Sequence, residues 1–313
     1  FAEPDPDKPR RTRGALVVYR GRIVAERYAP GFDRHISNSV AKSFTGTLIG
    51  ILVGQGKLDV HDPAPVAEWR APDDPRGTIT LDNLLRMSSG LQFDETYTSV
   101  RSDIVLQFVK GDPAGYAAAN PLEVPPGTRW KYSTGTSNIL ARIVRENAGA
   151  TLAESFAFPR RALFDKLGMR HSTFQVDAVG NFTGGGSVLA SVRDYARLGL
   201  LYLQDGMWNG VRILPEGWVA YVRTPTAHAP DDRGYGAQFW LNTGTNPDVR
   251  HWPSLPADMF AMQGHQGQNV VIVPSRDVVI VRVGLSEFGN WDVEGFAARV
   301  LVALNAGDTA AQD

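Results

Sequence analysis

Ser37-Asn38-Ser39-Val40-Ala41-Lys42-Ser43-Phe44 runs straight into Thr45-Gly46-Thr47-Leu48-Ile49-Gly50-Ile51-Leu52-Val53. Polar residues lead into a long, mostly apolar, helix-compatible segment, with Ser39 and Lys42 three residues apart at its start. Residues i and i+3 share a helix face, so the Lys42 amine can approach the Ser39 hydroxyl. A serine hydroxyl is a poor nucleophile until a neighbouring base takes its proton, and a desolvated lysine is such a base. Ser39 is therefore the expected nucleophile of a serine hydrolase. It is the only Ser-x-x-Lys in the chain.

Composition narrows the classes around that motif. A chain of 313 residues can bury a sizeable core, as one large domain or two interleaved ones. Lys and Arg number 32 against 33 Asp and Glu, a formal net charge of −1, so no electrostatic case exists for nucleic acid or an anionic membrane as partner. No cysteine is present, which excludes thiolate catalysis, disulfides and zinc–sulfur sites. The six histidines, at 35, 61, 171, 228, 251 and 265, show no metal-ligand spacing. No cofactor or metal is expected. No apolar run approaches the roughly 20 residues needed to span a bilayer. The chain opens on Phe1 rather than Met, so an upstream signal or anchor is allowed for, with a lean to a periplasmic or membrane-anchored address.

Outward from the motif, Ala15–Tyr19 and Ile23–Tyr28 read as a β-hairpin around Arg20-Gly21-Arg22. The motif helix should run to about Gln55, where Gly56 stops it. From Leu58 to about Pro230 helical segments alternate with turn-rich loops, including a short helix from Thr80, a loop from Leu91 to Ser102, and helices from about Ser137 to Asn147 and Asp194 to Leu203. Strands return at Ala237–Leu241, Asn269–Val273 and Val278–Val283. A final helix covers about Asn290 to Asn305, before a frayed tail, Gly307–Asp313. β-Structure at both ends brackets a helical middle. The expected fold is α/β of the α+β kind: an antiparallel sheet from both termini, flanked by helices, with an all-helical insertion. Residues 1–57 and 231–313 would form the sheet-plus-helix domain and 58–230 the mainly helical one, with the active site in the cleft between.

Two further stretches carry chemistry. Tyr132-Ser133-Thr134 offers a tyrosine near the lysine, where a cationic neighbour would depress its pKa and fit it as a proton shuttle. Met262-Gln263-Gly264-His265-Gln266-Gly267-Gln268-Asn269 enters a strand, and its glycines let a substrate come close to backbone N–H groups able to hold an oxyanion. Trp130, Phe239, Trp240 and Trp252 stand as candidates to line an apolar pocket.

Ser39-Val40-Ala41-Lys42, Tyr132-Ser133-Thr134 and Gly264-His265-Gln266-Gly267, in that order, resemble the three motifs of serine β-lactamase-like hydrolases and penicillin-binding proteins. Within that group the chain is similar to the class C-like branch of 6-aminohexanoate-dimer hydrolases, family VIII-type carboxylesterases and D-amino-acid peptidases. Leu84–Leu91, Gly184-Gly185-Gly186, Arg193–Arg197 and Gly206-Met207-Trp208 extend the likeness over roughly residues 14–303. The resemblance implies Ser39 as acylated nucleophile, Lys42 as its base and Tyr132 as proton relay. It implies the Ser39 N–H and a group near His265, among Gly264, Gln266 and Gly267, as oxyanion and substrate contacts. Tyr97, in Asp94-Glu95-Thr96-Tyr97, matches a loop tyrosine that hydrogen-bonds the scissile amide nitrogen in nylon-oligomer hydrolases.

Two departures shape the expected activity. Thr134 stands where the β-lactamases of this branch have asparagine, and no lysine stands on the strand motif. Either His265-Gln266-Gly267 or Met262-Gln263-Gly264 replaces that motif. The missing cation argues for an acyl-enzyme esterase or small-amide hydrolase over an efficient β-lactamase. A D-amino-acid or D,D-peptidase or weak β-lactamase acting on cell-wall-type substrates, and a catalytically silent penicillin-binding-like ligand-binding protein, are the alternatives. The partner expected is a small ester or amide, with monomer or homodimer left open.

Overall fold

The computed structural model describes residues 5–287 and 289–310. The first four residues of the 1–57 segment and residues 311–313 of the expected tail lie outside them.

Strand β1 (Thr12–Tyr19) turns into β2 (Arg22–Tyr28) through Arg20 and Gly21, whose φ values of 49° and 72° are both left-handed. Such a two-residue turn matches the twist of the flanking strands. Helix α1 (Val40–Gly54) follows, with α2 (Leu81–Leu85), α3 (Asp103–Val109), α4 (Pro113–Ala119), α5 (Thr134–Ala148) and α6 (Val192–Leu203) in the middle of the chain. Strands β3 (Trp240–Leu241), β4 (Phe260–Gly264), β5 (Gln268–Val273) and β6 (Val278–Gly284) precede α7 (Val293–Ala310). The sheet order is β2-β1-β6-β5-β4-β3, antiparallel throughout, so strands from both ends of the chain meet at the β1–β6 pair.

Period-2 geometry explains the layering. Val270 and Ile272 of β5, Val279 and Val281 of β6, and Leu16 and Val18 of β1 face one core, shared with α1 and α6. Val271, Val273, Val278, Ile280 and Val17 face the other, covered by Ala297 and Leu301 of α7. Both central strands are buried on each face, which is why they read as unbroken apolar runs. Helix α1 is apolar on every side because it is enclosed: Val40 through Leu52 are all buried.

Several boundaries differ from the sequence reading. The strand expected over Ala237–Leu241 shortens to Trp240–Leu241, because Gln238 takes a left-handed φ of 63° and spends its buried amide on Leu85 O and Ser137 Oγ. Helix α5 begins at Thr134, three residues before Ser137, since the Ser133 hydroxyl accepts the Thr136 N–H as N-cap. Helix α7 starts at Val293 and continues to Ala310, through part of the stretch expected to fray. The region 58–230 also carries short strands: Val188–Ala190 pairs with His35–Ile36 and Thr173–Phe174, and Met207–Trp208 pairs with Val211–Arg212.

Candidate active site

Three elements converge at the N-terminus of α1. Asn38 sets its entry: it adopts a left-handed φ of 45°, a conformation asparagine tolerates, and its amide donates to His265 O at 2.8 Å. That link ties the start of α1 to the turn after β4. Opposite, Gly264 lies so near that a Cβ there would stand 2.4 Å from Ser37 O and 3.1 Å from the Ser39 nitrogen. Only glycine allows β4 to approach Ser39 this closely.

Lys42 is 1% exposed, and its Nζ donates to Ser39 Oγ at 3.0 Å, Thr134 Oγ1 at 3.0 Å and Gly185 O at 2.6 Å. Burial penalises its charged form and brings the pKa down to about 8, against a smaller opposing pull from Glu95. The Lys42 nitrogen also lies 4.9 Å from the centre of the Tyr132 ring. Tyr132 stacks on Trp240, with centroids 5.5 Å apart, and meets Tyr235 edge-on. Its pKa departs from the sequence reading. Desolvation and the neighbouring Tyr235 push it well above the ordinary phenol value, outweighing a hydrogen bond with Ser39. The lysine nitrogen lies near the ring, and burial of the hydroxyl end dominates, so the phenol keeps its proton.

The strand motif divides at Gly264. Met262-Gln263-Gly264 lie on β4, while His265-Gln266-Gly267 form the turn into β5, with left-handed φ at Gln266 (64°) and Gly267 (80°). Strand β3 pairs with β4 at Phe260 and Ala261, so among the described residues no further strand covers β4 at Gln263 and Gly264, and both line the cavity beside Ser39. Arg282, buried under the turn, donates to Gln266 O at 3.0 Å and Gly267 O at 2.9 Å and fixes it from below.

Tyr97 stands over this centre. Its ring stacks on His265, centroids 5.8 Å apart and planes 7° from parallel, and its hydroxyl donates to Glu95 at 2.8 Å. The residue is more than half exposed, and desolvation first, and then the Glu95 charge, raise its pKa. Glu95 also accepts the Thr134 N–H at 2.8 Å and the Thr134 hydroxyl. A continuous chain thus runs Ser39–Lys42–Thr134–Glu95–Tyr97.

Ser39, Tyr97, Tyr132, Gly264, His265, Gln266 and Gly267 all border one cavity of about 310 Å³; Lys42 is not part of its lining and reaches it only through Ser39 Oγ, 3.0 Å away. Of the four aromatic candidates, Trp240 lines it; Trp130 packs on Trp240, while Phe239 and Trp252 are core. Sequence reasoning passed over Asn38, Glu95, the Gly185 carbonyl and Trp291. Asn38 had a sequence cue, being a residue tolerant of left-handed backbone just before the serine. Glu95 had none, since its partner Thr134 is 39 residues away. No group of three or more His, Cys, Asp or Glu able to hold a metal occurs among the described residues.

Fold and cleft are those of the β-lactamase/transpeptidase-like class: an antiparallel sheet against helices, with a Ser-x-x-Lys at the start of the enclosed helix. The chain belongs to the Beta-lactamase family, whose model matches residues 6–304. It is 29% identical over 290 residues to the 6-aminohexanoate-dimer hydrolase of Paenarthrobacter ureafaciens, covering 86% of this chain and 71% of that protein. Among solved structures, a candidate 6-aminohexanoate-dimer hydrolase from Bacillus anthracis superposes with a TM-score of 0.76 at 22% identity, over 97% of this chain and 80% of that one. A penicillin-binding protein from Bacillus halodurans gives 0.72 at 19% identity, over 93% and 97%. At such identities the structures establish the shared fold, and the family match establishes a hydrolase lineage.

Proposed function

We propose that this protein hydrolyses small carboxylic esters and amides through an acyl-enzyme on Ser39. The observation that carries the reading is the buried Lys42 amine, held near pKa 8 and 3.0 Å from Ser39 Oγ. In its neutral form the amine accepts the Ser39 proton as Oγ attacks the carbonyl carbon. The oxyanion is held by the Ser39 and His265 N–H groups, with the start of α1 favouring the negative charge. Tyr132 gives its phenol proton to the leaving oxygen or nitrogen while taking one from the Lys42 ammonium, and the carbon–heteroatom bond breaks. Water then attacks the ester, its proton leaves along the same relay, and Ser39 regains its hydrogen. A raised Tyr132 pKa suits this role, because the residue acts as a donor that is never left ionised.

Substrate class follows from what lines the cavity. No lysine or arginine borders it among the described residues, and Glu287 is the carboxylate at its rim. An anionic β-lactam finds no cation there, which supports neutral esters and amides. Tyr97 borders the same cavity as Ser39, which supports a contact with an amide nitrogen, and the relative named a 6-aminohexanoate-dimer hydrolase favours including amides.

A phosphonate that reacts with activated serines tests the reading directly. The native protein should be labelled in one-to-one ratio and the Ser39→Ala variant not at all. Equal labelling of both, with no turnover of p-nitrophenyl esters or 6-aminohexanoate dimer, would refute it. Tyr97→Phe separates the two substrate types: amide turnover should fall at least tenfold while ester turnover stays within about twofold, because an alkoxide leaves without that contact.

A further inference from the structure

Ser39 borders two cavities, not one. Tyr97 and His265, stacked face to face, stand at the boundary and line both. The first cavity is lined by Tyr132, Gln263 and Glu287 among others. The second, about 420 Å³, lies on the other side of the stack, and no Lys, Arg, Asp or Glu lines it among the described residues. Ile36 forms one wall and Ile104, Val105, Phe108 and Val109 of α3 form the other. That volume is ordinary for a small-molecule site, and an uncharged apolar lining favours hydrocarbon.

Chemistry decides which half of a substrate goes where. Tyr132 protonates the departing heteroatom, and Tyr132 borders the first cavity but not the second. The leaving group therefore occupies the polar side, and the acyl substituent extends the opposite way, past the Tyr97–His265 stack and along α3. Resting on the acyl-enzyme reading above, we propose that the α3 cavity is an acyl-chain subsite for unbranched, uncharged aliphatic acyl groups. Phe108 and Val109, 50% and 74% exposed, form an apolar lip on which such a chain continues toward solvent. An ω-amino group at the chain end would meet no carboxylate on the cavity wall.

The test uses the full chain with two ester series: p-nitrophenyl acetate, butyrate, hexanoate and octanoate, and acetates of alcohols lengthened in the same steps. In the acyl series kcat/KM should climb about fourfold for each buried methylene, the factor equivalent to about 0.8 kcal/mol. The alcohol series should stay flat within about threefold. Gly186 borders the cavity, and a Cβ built there meets nothing within 4 Å, so the side chain of Gly186→Phe starts in open space and should occupy the subsite. Its octanoate-to-acetate ratio should fall at least tenfold. Phe108→Asp, at a half-exposed position, should lower the same ratio and guards against misfolding of the first variant. p-Nitrophenyl hexanoate should outrun the 6-aminohexanoate ester by tenfold or more. A flat acyl series, chain dependence confined to the alcohol series, ratios unmoved in both variants, or preference for the amino ester would each overturn the subsite while Ser39 labelling and ester turnover left the hydrolase reading intact. Loss of both labelling and turnover in the native protein would instead remove the hydrolase reading itself.

Discussion

Lys42 is where one residue's environment sets the behaviour of the whole cleft. An ordinary lysine at pH 7 is almost wholly protonated and cannot accept a proton. At a pKa of about 8, roughly a tenth of the Lys42 amines are neutral at pH 7 and half at pH 8. The proposed base must be unprotonated to act, so kcat/KM should rise with pH, about tenfold per unit on the acid side, and level off above pH 8 to 9. Stopped-time assays with a neutral ester between pH 5.5 and 9.5 would measure this, and a flat profile would exclude Lys42 as the base. Thr134 belongs to the same account. Its hydroxyl accepts from Lys42 and donates to Glu95, so a short side chain suffices where the β-lactamase pattern has asparagine.

Two elements bring these residues together, and each does so through close packing. Helix α1 must be enclosed to keep Lys42 dry, and at Gly50 a Cβ would lie 2.5 Å from the Trp218 ring. Gly50→Ala gains about 1 kcal/mol of helix propensity. The overlap with a buried indole outweighs it, and a net loss of about 1–3 kcal/mol is expected in urea unfolding. Unchanged or raised stability would show that the helix has room to shift. Strand β4 contributes in the reverse way, by being left uncovered. Because Gln238 turns the chain aside before β3 can lengthen, the edge at Gln263 and Gly264 faces Ser39 and not another strand.

At the scale of the molecule, the cleft depends on a sheet closed by strands from opposite ends of the chain and covered by α7. Leu301 is 6% exposed in that cover. Leu301→Ala should cost about 2–5 kcal/mol. Tryptophan fluorescence and Ser39 labelling, followed together through chemical unfolding, should shift to the same lower midpoint, because α1 packs on this sheet and β4 is one of its strands. Labelling that outlasts the sheet would show the site to be independent of it.

The sequence by itself determined the Ser39–Lys42 pair proposed as nucleophile and base, because their contact is local: a three-residue spacing at the start of one helix fixes it. It determined the central strands and the enclosed helix as well, since burial on every side leaves runs of apolar residues that need no partner to be recognised. Only the tertiary structure decided the state of Tyr132, whose proton depends on burial against Tyr235 and Trp240 and not on the lysine beside it. It decided the place of the strand motif too, putting Met262-Gln263-Gly264 on β4 and giving the turn to His265. And it brought Glu95 to Thr134 and Ile36 to the α3 face, contacts between distant stretches of chain that no local spacing encodes. The Ser39–Lys42 pair was legible because it is built within one turn of helix; the rest of the cleft was not, because it exists only where separate elements meet.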